Sequence, residues 1–144
     1  MHIRQAIREN LITTLTGLPL TGNRVFSNRV FPLSQSNHNG LVLFTDGETV
    51  EYISMGSSRT QERIVNFRVE VYVRTKTDFD DKIDDILVDI ESALHQDVTR
   101  GGYAADTMLG NLQIEYSGDG EVPVGIGSLD VMVKYHNQEG SPTI

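Results

Sequence analysis

Residues 65–73 read VNFRVEVYV, and no other stretch restricts the fold of this chain as tightly. Val65, Phe67, Val69, Val71 and Val73 alternate with Asn66, Arg68, Glu70 and Tyr72. A period of two puts all five apolar side chains on one face of a strand, whereas a helix would scatter them around its circumference. The apolar face of a lone strand cannot be buried by the strand itself, so neighbouring strands and a covering layer are required. The chain has 144 residues, enough for one domain spanning 1–144 that buries roughly 68–70% of its unfolded surface around a single core.

Further strands follow from the same reasoning. A short one is expected around Val25 and Phe26, ahead of a polar loop at 34–40. LVLFT, from Leu41, is a continuous apolar run that suits a strand covered on both faces. It meets Asp46-Gly47, a hairpin signal, and ETVEYI reads as the return strand. The small polar residues 54–62, SMGSSRTQE, predict an exposed, mobile loop. Leu112, Ile114 and Tyr116 alternate with polar residues, as do Leu129, Val131, Val133 and Tyr135, which predicts two last strands.

Two segments change to helical period. Ile3, Ile7, Leu11 and Leu15 step by four, predicting an amphipathic helix over 3–15 that Gly17 and Pro19 end. Phe79, Ile83, Ile86, Leu87, Ile90 and Leu94 form the stripe of a second helix over 78–96, with Thr77 and Asp80 in capping-box spacing, and TRGGYAADTMLG after it as the break. The resulting fold class is α+β: a mixed, largely antiparallel sheet flanked by two main helices.

Composition removes several kinds of chemistry. There is no cysteine, and the histidines at 2, 38, 95 and 136 lack ligand spacing. A net charge of −8 opposes tracking of nucleic-acid phosphates. The N-terminus has no apolar h-region and no apolar run approaches ~18 residues, so neither a signal peptide nor a spanning helix is expected. No nucleophile elbow is present, and Ser57 and Ser58 have no basic partner that the sequence can place beside them. The chain reads as non-enzymatic and free of cofactors.

Three features remain. The carboxylates Asp78, Asp80, Asp81, Asp84, Asp85, Asp89 and Glu91 are the material of a Mg²⁺-dependent hydrolase, yet Asp78, Asp81, Asp85 and Asp89 share the face opposite the apolar stripe, where a solvated or partner-docking surface is expected. Arg59, Glu62 and Arg63 flank the 54–62 loop and are candidates for pairing with another subunit. SGDGEVPVGIG, at 117–127, resembles a phosphate or calcium loop by its glycines, but a strand rather than a helix follows it and only Asp119 and Glu121 are acidic. A hairpin connection with Asp119 and Glu121 at its tip accounts for every residue, and Gly125 and Gly127 in the last strand mark a bulge or the close approach of another backbone.

In this order, LVLFTDGETVEYI leading to RIVNFRVEVYVRT, then DFDDKIDDILVDIESAL, then LQIEYSGDGEVPVGIGSLDVMVKYH, the chain resembles the tail terminator (tail completion, minor tail) proteins of long-tailed, lambda-like phages. It departs from them before Leu41, where Asn39-Gly40 stands in place of the family's common proline. The resemblance implies an α/β sandwich that assembles as a homohexameric ring, stops growth of the tail tube and presents the attachment surface for the neck. Implied partners are other copies of itself, the tail tube protein and a neck or head-completion protein; DNA would pass through the lumen without specific binding, and no membrane is involved. The implied location is the head-proximal end of the virion tail, after synthesis in the host cytoplasm. A neck or head-tail connector is the neighbouring alternative, and a metal-dependent hydrolase using helix 78–91 is the alternative from another class.

Overall fold

In the computed structural model, which describes residues 1–31, 38–75, 77–117 and 123–144, the alternating stretch lies at the centre of one five-stranded sheet. It belongs to β3 (Thr60–Arg74), which pairs antiparallel with β2 (Gly40–Tyr52) on one side and β5 (Val124–Gln138) on the other. β4 (Asp106–Ser117) pairs antiparallel with β5, and the two-residue β1 (Val25–Phe26) runs parallel to β2, giving the order β1-β2-β3-β5-β4. With helices α1 (Ile3–Leu15) and α2 (Phe79–His95), this is an α+β domain with a mostly antiparallel mixed sheet.

Both helices cover the same face of the sheet. Ile7, Leu11 and Leu15 of α1 and Ile83, Ile86 and Ile90 of α2 join the odd-numbered face of β3 in one buried cluster. Each such side chain contributes about 1.5–3 kcal/mol by leaving water. The opposite face is half-exposed and polar over most of its area, with Arg68 between Asp46 and Asp130 at 3.4 Å from each. At one corner Phe31 covers that face, stacked on Tyr72 at 4.8 Å and edge-on to Phe26 at 5.5 Å.

The hairpin expected at Asp46-Gly47 does not form. β2 runs through it, Gly47 lacks the positive φ that a tight hairpin turn demands, and Asp46 is an extra residue between the pairs Thr45↔Phe67 and Gly47↔Asn66. Ladder hydrogen bonds along the length of β3 outweigh a local turn preference. The bulge also exchanges the faces of β2: Leu41 and Leu43 point to the helices before it, and Glu48 does so after it. The reversal comes at 53–59, where Gly56 and Ser58 have φ of 95° and 56°; the exposed loop is therefore shorter than 54–62, and Gln61 and Glu62 are in β3.

Other boundaries also moved. α1 ends where expected, and its cap is His2, whose Nδ1 accepts from the Arg4 N–H at 3.0 Å. The Thr77–Asp80 capping box is not made: Asp78 takes the N-cap position in a left-handed conformation, φ 61°, without a side-chain cap. With Asp78 as the N-cap, Thr77 stands one residue too early to bond the first turn, and Asp80 and Asp81 still lie at the positive end of the helix. At its other end, buried Arg100 donates through Nη2 to the carbonyls of Leu94, at 2.7 Å, and Asp97. β4 begins at Asp106, inside the expected break, because Asp106–Leu109 pair with Val131–Lys134 before a bulge.

Gly125 and Gly127 have a specific cause. A Cβ on Gly125 would lie 2.2 Å from the Phe79 ring, and one on Gly127 would lie 2.9 Å from Ile83, so these bare positions seat the first turn of α2 on β5. The close approach is by helix side chains rather than by another backbone. Gly125→Val is expected to destabilise the fold by about 1–3 kcal/mol, and adding Phe79→Ala to be less than additive, as read from urea unfolding midpoints.

Burial, and then the neighbouring Glu70 carboxylate, raises the Tyr72 phenol to about 12. In the unfolded chain it ionises near pH 10, so between about pH 10 and 12 the unfolded state holds fewer protons and stability falls as pH rises. Denaturation curves across this window should show that decline, and Tyr72→Phe should flatten part of it.

Candidate assembly surface

By turning Glu48 inward, the β2 bulge creates a polar cluster where the apolar core ends. Glu48 Oε2 accepts from Arg4 Nη1 at 2.6 Å and from Arg63 Nη1 at 3.0 Å, while Oε1 accepts from the Tyr135 hydroxyl. Arg63 is saturated further by Asn137 at 2.8 Å and Gln61 at 3.0 Å. The Glu48 and Arg63 side chains are only 10% and 15% exposed, so this is a nearly dry pair with its hydrogen bonds filled. Burial first, then the hydrogen bond to Glu48, pushes the Tyr135 phenol above its ordinary range, keeping it protonated as a donor.

Of the residues singled out from the sequence, Arg59, Glu62 and Arg63 are engaged within the chain. Arg63 belongs to the polar cluster. Arg59 forms two parallel bonds to Glu139, at 3.0 and 2.7 Å, and lies over the Tyr52 ring at 4.2 Å. Its bond to Glu139 raises the Arg59 guanidinium and lowers the Glu139 carboxyl. Glu62 meets His136 at 3.1 Å. Arg59 and Glu62 remain accessible at the rim, beside a loop whose Met55 is 96% exposed.

Asp119 and Glu121 lie outside the described residues. Their flanking residues Ser117 and Val124 pair with each other, and Val124 also pairs with Arg74, at the far end of β3 from Thr60. The two connections proposed as contacts thus lie at opposite ends of the sheet. Asp80, Asp81, Asp84, Asp85 and Glu91 are exposed on α2, and among the described residues no three metal-ligating side chains converge.

A different surface was not singled out from the sequence. α2 lies over β3 and β5 and leaves most of β4, the edge strand, uncovered, with Tyr116 packed edge-on against Phe79 at 4.6 Å. The bulge between Leu109 and Leu112 keeps both on the helix side, in line with Ile114 and Tyr116. These four are 41–60% exposed, although they face the same side as the core. Between them and α2 runs a groove of about 350 Å³, with Val88, 63% exposed, on one wall and Asp84 and Glu91 at the rim. The available signal was Val88, which stands off the helix's buried stripe. An apolar strip rimmed by carboxylates on an open strand edge is the composition of an interaction site.

The two kinds of ion pair should separate on mutation. Glu48→Leu strands Arg63 and Tyr135 and is expected to cost about 2–4 kcal/mol, whereas Glu139→Ala at the rim should cost under about 1 kcal/mol; urea midpoints of both variants check this. No protein-family model matches the chain, and no curated protein matches it.

Proposed function

We propose that this protein is a structural assembly protein, a phage tail terminator that forms a ring on the end of the tail tube, stops its growth and offers the surface on which the neck docks. The observation that carries the reading is the uncovered apolar edge of β4, where Leu109, Leu112, Ile114 and Tyr116 lie half-exposed beside an open strand. A subunit with such an edge is completed by another protein. The resemblance in block order supplies the ring, and the sheet geometry suits one: a contact loop at each end of the long strands provides two unlike annular faces, while the sheet edges face neighbouring subunits. Exposed Met55, at the 53–59 end, is placed to meet one axial partner.

The work requires no reacting group. The carboxylates of α2 point outward as a hydrated face, which suits contact better than metal-assisted hydrolysis. Purified protein added to unfinished tail tubes should close their ends in negative-stain images, and tubes that continue to overgrow in its presence would remove the proposal. Binding to head portals in place of tubes would make the protein a neck connector instead.

A further inference from the structure

The charges on this molecule are sorted by edge. Residues 78–117, which build α2 and β4, hold ten of the 20 carboxylates, against Lys82 and the buried Arg100. Residues 1–31, which build α1 and β1, hold Arg4, Arg8, Arg24 and Arg29 against one carboxylate, Glu9. Strand order puts these two groups at opposite edges of the sheet.

The fold uses few of these charges. Arg8 donates to the Thr45 hydroxyl at 2.9 Å, Arg24 to the Asn39 carbonyl at 2.6 Å and Arg29 to the Thr45 carbonyl at 3.0 Å, all uncharged acceptors. Among the described residues, none of these arginines has a carboxylate within ion-pair distance, and neither Asp84, Asp85, Glu91 nor any other carboxylate of α2 has a cation. Beside Arg29 stands Val30, 72% exposed, an apolar knob next to a cation. The groove between α2 and β4 is the converse, an apolar trough with Asp84 and Glu91 at its rim.

We infer that the α2–β4 edge of one copy docks on the α1–β1 edge of the next, head to tail, with the Arg29–Val30 segment seated at the acidic apolar groove. The inference rests on the ring reading and names its interface. Two copies meeting through their β4 edges would oppose like charges, whereas the head-to-tail contact opposes unlike ones and repeats around a closed ring. Glu51, at the far end of β2, is the one exposed carboxylate of the receiving strand that has no partner among the described residues.

The test is a charge exchange, followed by analytical ultracentrifugation and by capping of tail tubes. One variant carries Asp84→Lys and Glu91→Lys; the other carries Arg29→Glu, with Arg8→Glu added in a second version. Circular dichroism and urea midpoints check that each variant is folded, because Arg29→Glu gives up a bond to the Thr45 carbonyl and stacking on the Phe44 ring, and Arg8→Glu a bond to the Thr45 hydroxyl. Wild type should sediment as a ring that loosens as salt rises, each variant alone should fall to the 16.0 kDa monomer, and an equimolar mixture should recover rings, because reversed edges again meet opposite charge. If the Arg29→Glu variant assembles and caps like wild type, or if mixing restores nothing, the head-to-tail contact is wrong while the ring reading stands. Wild type that neither associates nor caps would overturn both.

Discussion

The molecule is organised by the need to cover one face of β3. Its five inward side chains are hydrogen-bonded into the sheet on both sides, and their burial is possible only if something apolar lies across them. Both helices are recruited to that face, which leaves the reverse of the sheet to charged and hydroxylated side chains and a small aromatic corner. The glycines of β5 follow from the same demand: α2 reaches the sheet only where two positions carry no side chain. Where the apolar stretch of β3 gives way to Arg63 and Gln61, Glu48 and Tyr135 close the layer with hydrogen bonds instead.

What the sequence made legible and what it hid divide along a physical line. The helices, the alternation of β3 and β5 and the short β1 were readable because period and composition are local properties. Asp46-Gly47 misled because a turn preference is also local, whereas its override comes from a partner strand 20 residues further on. Thr77 failed as a cap because the helix begins one residue later than the spacing implied, with Asp78 at the N-cap. Arg63 looked available because nothing in the chain order brings it to Glu48 and Asn137, and the β4 edge looked like a buried strand because its alternation is that of a covered one. Burial is decided by where α2 stops, and pattern does not encode that.

Arg100 and the carboxylates of α2 show how the helix is completed. The buried guanidinium takes up carbonyls at the C-terminal end, and Asp80 and Asp81 favour the opposite end. The helix dipole is thus answered from within the chain, and the outward carboxylates along its length contribute little to holding it in place. That outward face is therefore one that folding does not require.

The unpaired residue in β2 has a consequence for how sequences of this shape can diverge. Asp46 is the surplus residue: a chain lacking it would join the pair Thr45↔Phe67 directly to Gly47↔Asn66 and keep Glu48 inward, whereas pairing Asp46 into the ladder would turn Glu48 out of the layer and bring Thr49 in. A one-residue gap in the middle of a paired strand ordinarily moves every later side chain to the other face. At Asp46 it would only straighten the ladder, so this is the one point of β2 where the chain can shorten by a residue and keep the same side chains in the layer.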